Sequence, residues 1–188
     1  MRYAIGDMND PIAIFAQWLA DARTQVPEPT AMALATVDIE GRPAVRMVLL
    51  KHADARGFVF YTNMESDKGR QLAHRAEAEL CFHWQPPGRQ VRVHGSVEQV
   101  SDTEADAYFA SRPYQSQLGA WASQQSRPLP SQAILLKAVA KQALRFPHRV
   151  TRPPHWTGYR VEPTWIELWS GVTFRLHDRM RYTRDADG

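Results

Sequence analysis

Hydrophobic and polar residues follow two different periods along the chain, and the change of period separates a helix from a run of strands. Near the N-terminus, apolar residues recur at the spacing of one helix face: Ile12, Phe15, Trp18, Leu19 and Ala22. Asp10 and Pro11 precede them as an N-cap followed by proline at the first helical position. The pattern predicts an N-terminal helix over about residues 11–26, ended by Pro27 and Pro29.

After this helix, short apolar, β-branched and aromatic runs alternate with turn residues, as is typical of an antiparallel sheet. The predicted strands cover residues 31–38, 43–51, 58–62, 79–84, 90–100, 159–169 (interrupted by Pro163) and 172–182. Further helices are predicted over residues 66–75, from the capping box at 101–104 to before Pro113, and over 131–146. The Ser- and Gln-rich segment 113–126 is predicted to be a loop. We therefore expect a mostly β (α+β) fold, an antiparallel sheet closed into a barrel with peripheral helices.

Length and composition fit one domain over residues 1–188, with the N-terminal helix followed by a barrel and helices over about 30–183. No apolar run approaches the ~20 residues that span a bilayer, so no membrane association is expected. The single cysteine, Cys81, suits a reducing cytoplasm. A net charge of +3 permits acidic ligands but is not a nucleic-acid signature.

Several familiar catalytic and binding motifs are absent from the sequence. There is no GxGxxG or GxxxxGK[ST] phosphate loop, no HExxH or CxxC metal motif and no GxSxG elbow. The sequence therefore predicts no metal site. The remaining candidates for chemistry are cations and amides near strand and helix ends.

The segment VTFRLHDRMRY, residues 172–182, concentrates these cations. In a strand, its basic residues Arg175, His177, Arg179 and Arg181 would share one face. Such a row repels itself unless something anionic, such as a phosphate or a carboxylate, lies across it. An edge strand protected by charge is the other interpretation.

Other polar residues give weaker signals of the same kind. Tyr108 and Arg112 are four residues apart on a predicted helix and share a face, next to the Ser- and Gln-rich segment that could hydrogen-bond a phosphate or a heterocycle. Arg46 and Lys51 bracket an apolar strand on opposite faces. In RQVRVH, Gln90, Arg92 and His94 share one face, and a solvated outer surface is the favoured interpretation for the last two. Trp165 and Trp169 share a strand face, either as core or as a wall for a flat ring.

Taken together, these segments resemble the pyridoxine (pyridoxamine) 5′-phosphate oxidase family, from about Asp10 to Tyr182. The resemblance is carried by EPTAMALATVD, RMVLLKH, FYTNMESDKG, RQVRVHG, YFASRPYQSQLGAW and ELWSGVTFRLHDR. Six segments in order and at matching spacings form a specific signal, whereas any one of them alone would be weak.

The resemblance implies an FMN-binding split β-barrel that works as a homodimer, with the flavin in clefts built from both chains. The implied cofactor residues are Arg46, Met47, Val48, Leu49, Leu50, Lys51, Tyr61, Thr62, Lys68, Gln90, Gln125, Ser126, Trp169 and Arg179. The implied substrate residues are Lys51, Tyr108, Arg112, Ser116, Arg175 and His177, of which the first four hold the substrate phosphate.

By the same resemblance, the reaction is oxidation of pyridoxamine or pyridoxine 5′-phosphate to pyridoxal 5′-phosphate. A hydride passes from C4′ of the substrate to flavin N5, the oxidised amine is then hydrolysed to the aldehyde, and O2 reoxidises the flavin with formation of H2O2. Arg175 and His177 are the implied catalytic residues, because they flank the pyridine ring, whereas Arg179 reaches the flavin.

Three departures from the family pattern accompany the resemblance. Asp67 precedes Lys68 where family members usually carry a basic residue, the basic N-terminal stretch is nearly missing, and the sequence stops before the usual closing W…RLxP strand. The alternatives are a flavoprotein acting on another small heterocycle, as in phenazine-pathway homologues, and a non-catalytic module that binds FMN or pyridoxal phosphate. Lys51 and the intact RLHDR favour the vitamin substrate. An RNA-binding barrel is disfavoured by the modest charge.

Overall fold

The computed structural model describes residues 10–171 and 177–184. Within these residues, five helices accompany one eight-stranded antiparallel sheet. The helices are α1 Pro11–Arg23, α2 Asp67–His74, α3 Asp102–Ser111, α4 Tyr114–Ala122 and α5 Gln132–Arg145. The strands are β1 Ala31–Val37, β2 Pro43–Leu49, β3 His52–Asp54, β4 Gly57–Asn63, β5 Glu77–Trp84, β6 Arg89–Gln99, β7 Trp156–Ser170 and β8 Asp178–Thr183.

The sheet curls until its two edges meet, which makes it a barrel. The strand order is β2-β1-β5-β6-β7-β4-β3, so β2 and β3 lie at opposite ends of the path. Only Leu50 and Lys51 separate these two strands in the chain. The Leu50 amide donates to the carbonyl of Thr30 (2.9 Å), before β1, and the Lys51 amide donates to the carbonyl of Val59 (2.8 Å), in β4. The predicted barrel is confirmed, and its seam lies at these two residues.

The longest strand of the sheet, β7, pairs with three other strands. It pairs with β6 along nearly its whole length, while its other side pairs first with β4 and then with β8. Pro163 lies inside β7, where the pairing with β6 shifts register between His94 and Gly95. A Cβ on Gly95 would lie 1.7 Å from the Glu162 carbonyl oxygen, so a side chain does not fit there. The predicted interruption at Pro163 is therefore a bulge, at which a strand tolerates proline, rather than a break.

The main hydrophobic core lies between the barrel strands and α1. The ring of Phe15, on α1, packs against Phe58 and Phe82 with centroid distances of 4.8 and 5.0 Å. Asp10 caps this helix, since its carboxylate accepts a hydrogen bond from the Ile12 amide at 2.8 Å. Both the apolar stripe and the N-cap predicted from the sequence are confirmed.

A second, smaller core fixes α3, α4 and α5 beside β4 and β7. Its buried members are Phe109, Leu118, Val150 and Trp156. Because α3 and α4 carry several of the residues predicted to bind a substrate, this core determines where those side chains lie. Of the helices within the described ranges, none is long and apolar enough to cross a membrane.

The structure corrects the predicted elements in three places. Segment 113–126 was predicted to be a loop, but residues Tyr114–Ala122 form α4, because Leu118 packs into the second core and glutamine is a good helix former. The short strand β3 lies between the predicted strands 43–51 and 58–62, where no strand was predicted. The N-terminal helix ends at Arg23 rather than near residue 26. Of the predicted strand 172–182, residues 172–176 lie outside the described residues, and β8 begins at Asp178.

Candidate functional site

Four of the predicted cofactor residues converge where β4 meets the start of α2. The ammonium group of Lys68, on α2, donates to the Gln125 side-chain oxygen (3.0 Å) and to the hydroxyls of Thr62 and Ser66 (both 3.2 Å). Ser126 joins them, because its hydroxyl accepts a hydrogen bond from the backbone amide of residue 67 (3.2 Å). The structure thus brings together residues that are about sixty positions apart in the sequence.

Arg46, on β2, lies near this group and is held by neutral partners. Its guanidinium donates to the side-chain oxygen of Gln71 (2.8 Å), to the Thr36 hydroxyl, and to the carbonyls of Leu34 (3.4 Å) and Ala44 (3.2 Å). Thr36 in turn donates to Gln71 at 2.7 Å. Sequence reasoning missed Thr36 and Gln71, since a threonine in a strand and a glutamine in a helix are ordinary residues without their contacts.

The electrostatics of this Lys68 cluster, by which we mean Arg46, Thr62, Lys68, Gln125 and Ser126, favour an anion. Burial lowers the pKa of Lys68, and the nearby Arg46 guanidinium lowers it further. Burial also lowers the pKa of Arg46. All hydrogen-bond partners of the two cations within the described residues are neutral. Two partly desolvated cations with neutral partners fit a phosphate, which would supply the missing negative charge.

Asp67 lies at the first position of α2, next to the Lys68 cluster. Its carboxylate forms a 2.6 Å ion pair with Arg70, and both side chains are more than half exposed. At longer range its negative charge partly offsets the lowering of the pKa values of Arg46 and Lys68. The carboxylate is therefore neutralised locally by Arg70 and screened by solvent, so this departure from the family pattern has a small electrostatic effect on the cluster.

We expect the substitution Asp67→Arg to tighten the binding of a flavin phosphate by no more than about fivefold at low salt. The reason is that the exposed carboxylate opposes an anion only weakly, and Arg70 already offsets it. FMN titrations of both proteins at low and high salt measure the effect, which should shrink as salt is added. A gain far above fivefold, or one independent of salt, would show that Asp67 acts through direct contact instead.

A stack of aromatic rings forms the next part of the site. The rings of Tyr61 and Tyr108 are nearly parallel with centroids 4.0 Å apart, and Tyr61 also stacks on Trp156 at 5.1 Å. Gly158 permits this approach, because a Cβ there would lie 2.6 Å from the Tyr61 ring. Burial raises the pKa of Tyr61 to about 12 and also raises that of Tyr108, so both phenols remain protonated donors at neutral pH.

Arg112 lies at the end of this stack, at the junction between α3 and α4. Its guanidinium carbon is 4.9 Å from the centroid of the Trp156 ring and 5.7 Å from that of Phe109. Burial lowers the pKa of Arg112, and its buried Nη1 has no hydrogen-bond partner among the described residues. Ser116 lies in the first turn of α4, shortly after the junction. A half-buried cation with a buried, unsatisfied donor beside a helix N-terminus is a second place suited to an anion.

The remaining predicted residues of the first half of the chain line the barrel seam and β2. Lys51 borders a groove lined by α1 residues, including Phe15 and Leu19, and this groove does not include the α3–α4 junction. The β2 residues predicted to contact a cofactor alternate in exposure: Met47 and Leu49 are exposed and Val48 is half-buried, followed by buried Leu50 at the seam.

The other predicted residues form a separate group on β6, β7 and β8. Gln90, Trp169 and Arg179 are direct neighbours across three strands. The ring of His177 lies 4.7 Å from that of Trp169, and Arg175 lies outside the described residues. We call Gln90, Trp169, His177 and Arg179 the Trp169 cluster. Within the described residues no group of His, Cys, Asp and Glu could hold a metal ion.

A carboxylate that sequence reasoning missed lies behind this cluster. Glu167 is buried, and its side chain pairs with Arg181 (3.1 Å), Arg92 (3.3 Å) and Arg179 (3.9 Å). The prediction that Arg179 and Arg181 share a strand face is thus confirmed, and Glu167 is an anion lying across that face. Arg92 is part of this network rather than a solvated outer residue.

The two clusters lie at opposite ends of β7. Thr62 pairs with Thr157 near the start of this strand, whereas Arg179 pairs with Trp169 near its end. Trp169 is twelve positions after Thr157, which corresponds to about 40 Å along a strand. One chain alone therefore separates the two sets of residues that the resemblance assigns to the same flavin.

Comparison with known proteins identifies the family. A sequence profile described as "Pyridoxamine 5'-phosphate oxidase" matches residues 19–145, and one described as "Pyridoxine 5'-phosphate oxidase C-terminal dimerisation region" matches residues 156–188. The chain belongs to the pyridoxamine 5′-phosphate oxidase family, whose members are FMN-dependent oxidoreductases. The resemblance inferred from the sequence motifs is confirmed.

Individual relatives agree with this assignment. A pyridoxine/pyridoxamine 5′-phosphate oxidase from Maricaulis maris (strain MCS10) is 58% identical over 182 residues, which cover 96% of this chain and 82% of the relative. The structure of PhzG from Burkholderia lata 383, solved with tetrahydrophenazine-1-carboxylic acid, superposes with a TM-score of 0.90 at 33% identity, covering 97% of this chain and 90% of that one. A pyridoxamine 5′-phosphate oxidase-related, FMN-binding protein from Nostoc punctiforme PCC 73102 shares the fold, with a TM-score of 0.78 at 19% identity, over 93% of this chain and 90% of that one.

Proposed function

We propose that this protein oxidises pyridoxamine 5′-phosphate and pyridoxine 5′-phosphate to pyridoxal 5′-phosphate, with FMN as cofactor and O2 reduced to H2O2. The observation that carries the proposal is the pair of partly buried cations Arg46 and Lys68, whose hydrogen-bond partners among the described residues are all neutral, in a chain 58% identical to a named oxidase of this reaction. Bound FMN would supply the redox chemistry, so the work of the protein is binding, orientation and electrostatics.

In this proposal the Lys68 cluster holds the phosphate of FMN. Arg46 and Lys68 provide the charge, and the hydroxyls of Thr62 and Ser126 and the amide of Gln125 provide hydrogen bonds to its oxygens. Tyr61 and the β2 segment, including Met47 and Leu49, would line the flavin on the same chain. Gln90, Trp169 and Arg179 would contact the flavin from the Trp169 cluster.

The substrate residues divide into a phosphate-binding set and a set at the reacting ring. Arg112, with its unsatisfied Nη1, the Tyr108 phenol and the Ser116 hydroxyl would hold the substrate phosphate, together with Lys51. Arg175 and His177 would flank the pyridine ring. In this position Arg175 would bring a permanent positive charge to the substrate, and the imidazole of His177 would hydrogen-bond its ring hydroxyl.

We further propose that the protein is one domain that forms a homodimer with two active sites, each built from both chains. The separation of the two clusters along β7 supports this, because a second copy can bring its Trp169 cluster to the Lys68 cluster of the first. The match to a dimerisation region over residues 156–188 supports the dimer, as does the exposed apolar row Val45, Met47 and Leu49 on edge strand β2. A cytoplasmic location fits the free thiol of Cys81.

The experiment that tests the proposed function starts from the purified protein. We expect it to carry an oxidised flavin spectrum, to release FMN on denaturation and to elute as a dimer. Adding pyridoxamine 5′-phosphate under air should produce pyridoxal 5′-phosphate and an equal amount of H2O2. A protein that binds FMN but produces neither would be a non-catalytic flavin-binding module, and one that takes up no FMN would exclude the proposal altogether.

A second candidate, oxidation of another small heterocycle, is motivated by the close superposition with PhzG. The higher identity to the pyridoxine/pyridoxamine oxidase and the cationic α3–α4 junction favour a phosphorylated substrate. The two candidates are distinguished by supplying a reduced phenazine carboxylate and pyridoxine 5′-phosphate separately. Faster turnover of the phenazine would select the second candidate.

A further inference from the structure

A buried glutamine side chain hydrogen-bonds across the junction between α3 and α4. The side-chain nitrogen Nε2 of Gln117, on α4, lies 3.0 Å from the carbonyl oxygen of Phe109, 3.2 Å from that of Ala110 and 3.0 Å from that of Arg112. Gln117 is only 8% exposed. One amide group therefore serves as donor to three carbonyls at the C-terminal end of α3.

This contact replaces the usual means of ending a helix. The last carbonyls of a helix lack intrahelical partners and are commonly satisfied after a glycine in left-handed conformation. Here the C-cap is Arg112 with extended backbone, followed by Pro113, and the last turn of α3 carries no basic residue. The Arg112 amide already donates to the Phe109 carbonyl (3.2 Å), so Gln117 adds a second donor there and supplies a donor to the carbonyls of Ala110 and Arg112.

We propose that Gln117 is a positioning residue for the binding of the substrate phosphate. It fixes the backbone of Arg112 relative to α4, and thereby sets the Arg112 guanidinium and the Tyr108 phenol of α3 against the Ser116 hydroxyl of α4. The inference rests on the proposed function, because these three residues are the ones assigned there to the phosphate.

Two physical effects connect this amide to an anion. Without its donors, the C-terminal carbonyls of α3 would present uncompensated partial negative charge close to the phosphate, which disfavours binding. Water entering to satisfy them would also loosen the junction, so that Arg112 and Ser116 would no longer converge on one anion. Both effects act at the start of α4, whereas Gln125 and Ser126 of the Lys68 cluster follow the other end of this helix and the remaining members lie on β2, β4 and α2.

The test compares Gln117→Met and Gln117→Glu with the unmodified FMN-loaded enzyme. Methionine keeps the length of the side chain without donors, and glutamate keeps its shape with an acceptor in their place. We expect the dissociation constant for inorganic phosphate, measured by equilibrium dialysis, and the KM for pyridoxine 5′-phosphate to rise about tenfold, with a change in kcat below about twofold. The dissociation constant for FMN, measured by flavin fluorescence, should stay unchanged.

Tyr114→Phe is the matched control, because the Tyr114 hydroxyl ties the same helix α4 to the Phe146 carbonyl (2.9 Å) without contacting α3's end. It should leave phosphate binding within about twofold. Four outcomes would each overturn the inference. Folded Gln117 variants could bind phosphate as the unmodified protein does, or could lose FMN binding as much as phosphate binding. Tyr114→Phe could weaken phosphate binding as much as the Gln117 variants do, or both Gln117 variants could fail to fold. Because phosphate dialysis needs no turnover, an inactive protein that still shows this pattern would contradict the proposed function and not the role of Gln117.

Discussion

Replacing Lys68 with methionine is expected to weaken FMN binding by about 10- to 100-fold, which corresponds to the loss of one charge-assisted contact. The expectation follows from the partial burial of this ammonium group, which lowers its pKa, and from its neutral partners Thr62, Ser66 and Gln125. Within the described residues none of its hydrogen-bond partners is charged, so a phosphate would supply the counter-charge that these partners lack. Titration of the apoprotein with FMN, followed by quenching of flavin fluorescence, measures the change.

Arg70→Met provides the matched control, because Arg70 lies on the same helix but is exposed and paired with Asp67. Its effect on the FMN dissociation constant should stay within about fivefold. Lys68→Arg should keep most of the affinity, since it retains the charge. If Lys68→Met binds FMN as tightly as the unmodified protein, the assignment of the Lys68 cluster to the flavin phosphate is wrong.

Much of the fold could be predicted because it is specified by residues close together in the sequence. The N-caps Asp10 and Ser101 and the strand periodicity all act over a few residues, and the structure contains each of them. The predicted capping box is only half formed, because the Glu104 carboxylate accepts hydrogen bonds from Arg160 (2.9 and 3.0 Å). The barrel followed from the number of short strands. Its seam at Leu50 and Lys51 did not, because closure depends on pairing between strands that the local pattern does not specify.

The parts that could not be predicted depend on contacts between distant residues. Helix α4 was missed because its Ser- and Gln-rich sequence is polar locally, whereas what stabilises it is distant: Leu118 packs into the second core, and Gln117 and Tyr114 hydrogen-bond other parts of the chain. Gln71 and Gln117 act through hydrogen bonds to Arg46 and to the end of α3, and a glutamine in a sequence gives no sign of such partners. Family resemblance assigned residues to the ligands but gave no sign of the residues that position them.

The row of basic residues in β8 shows both what the sequence could predict and what it could not. The sequence indicated correctly that Arg179 and Arg181 share a face and require an anion. The anion that the structure supplies is Glu167, from the neighbouring strand. Since Arg179 is 3.9 Å from this carboxylate and largely exposed, its guanidinium remains available for a further ligand.

Co-expression of two variants that each bind FMN weakly is expected to restore FMN sites if each site is shared between chains. Lys68→Met removes a residue of one cluster and Arg179→Leu a residue of the other, so each homodimer should bind FMN weakly at both of its sites. In a heterodimer of the two variants, one site combines both substitutions and the other combines neither. Random pairing makes half of all dimers heterodimers, so about a quarter of the normal FMN sites should regain full affinity.

The measurement uses two different affinity tags on co-expressed variants, so that the heterodimer is isolated by sequential purification. We expect it to bind one FMN per two chains with the affinity of the unmodified protein, because its intact site contains an unaltered Lys68 cluster and an unaltered Trp169 cluster. A heterodimer of Lys68→Met with Arg46→Met serves as the control, since both substitutions fall in the same cluster and neither site is intact. If the first heterodimer binds FMN no better than this control, the Lys68 cluster of one chain and the Trp169 cluster of the other do not form one site, and the shared site is excluded.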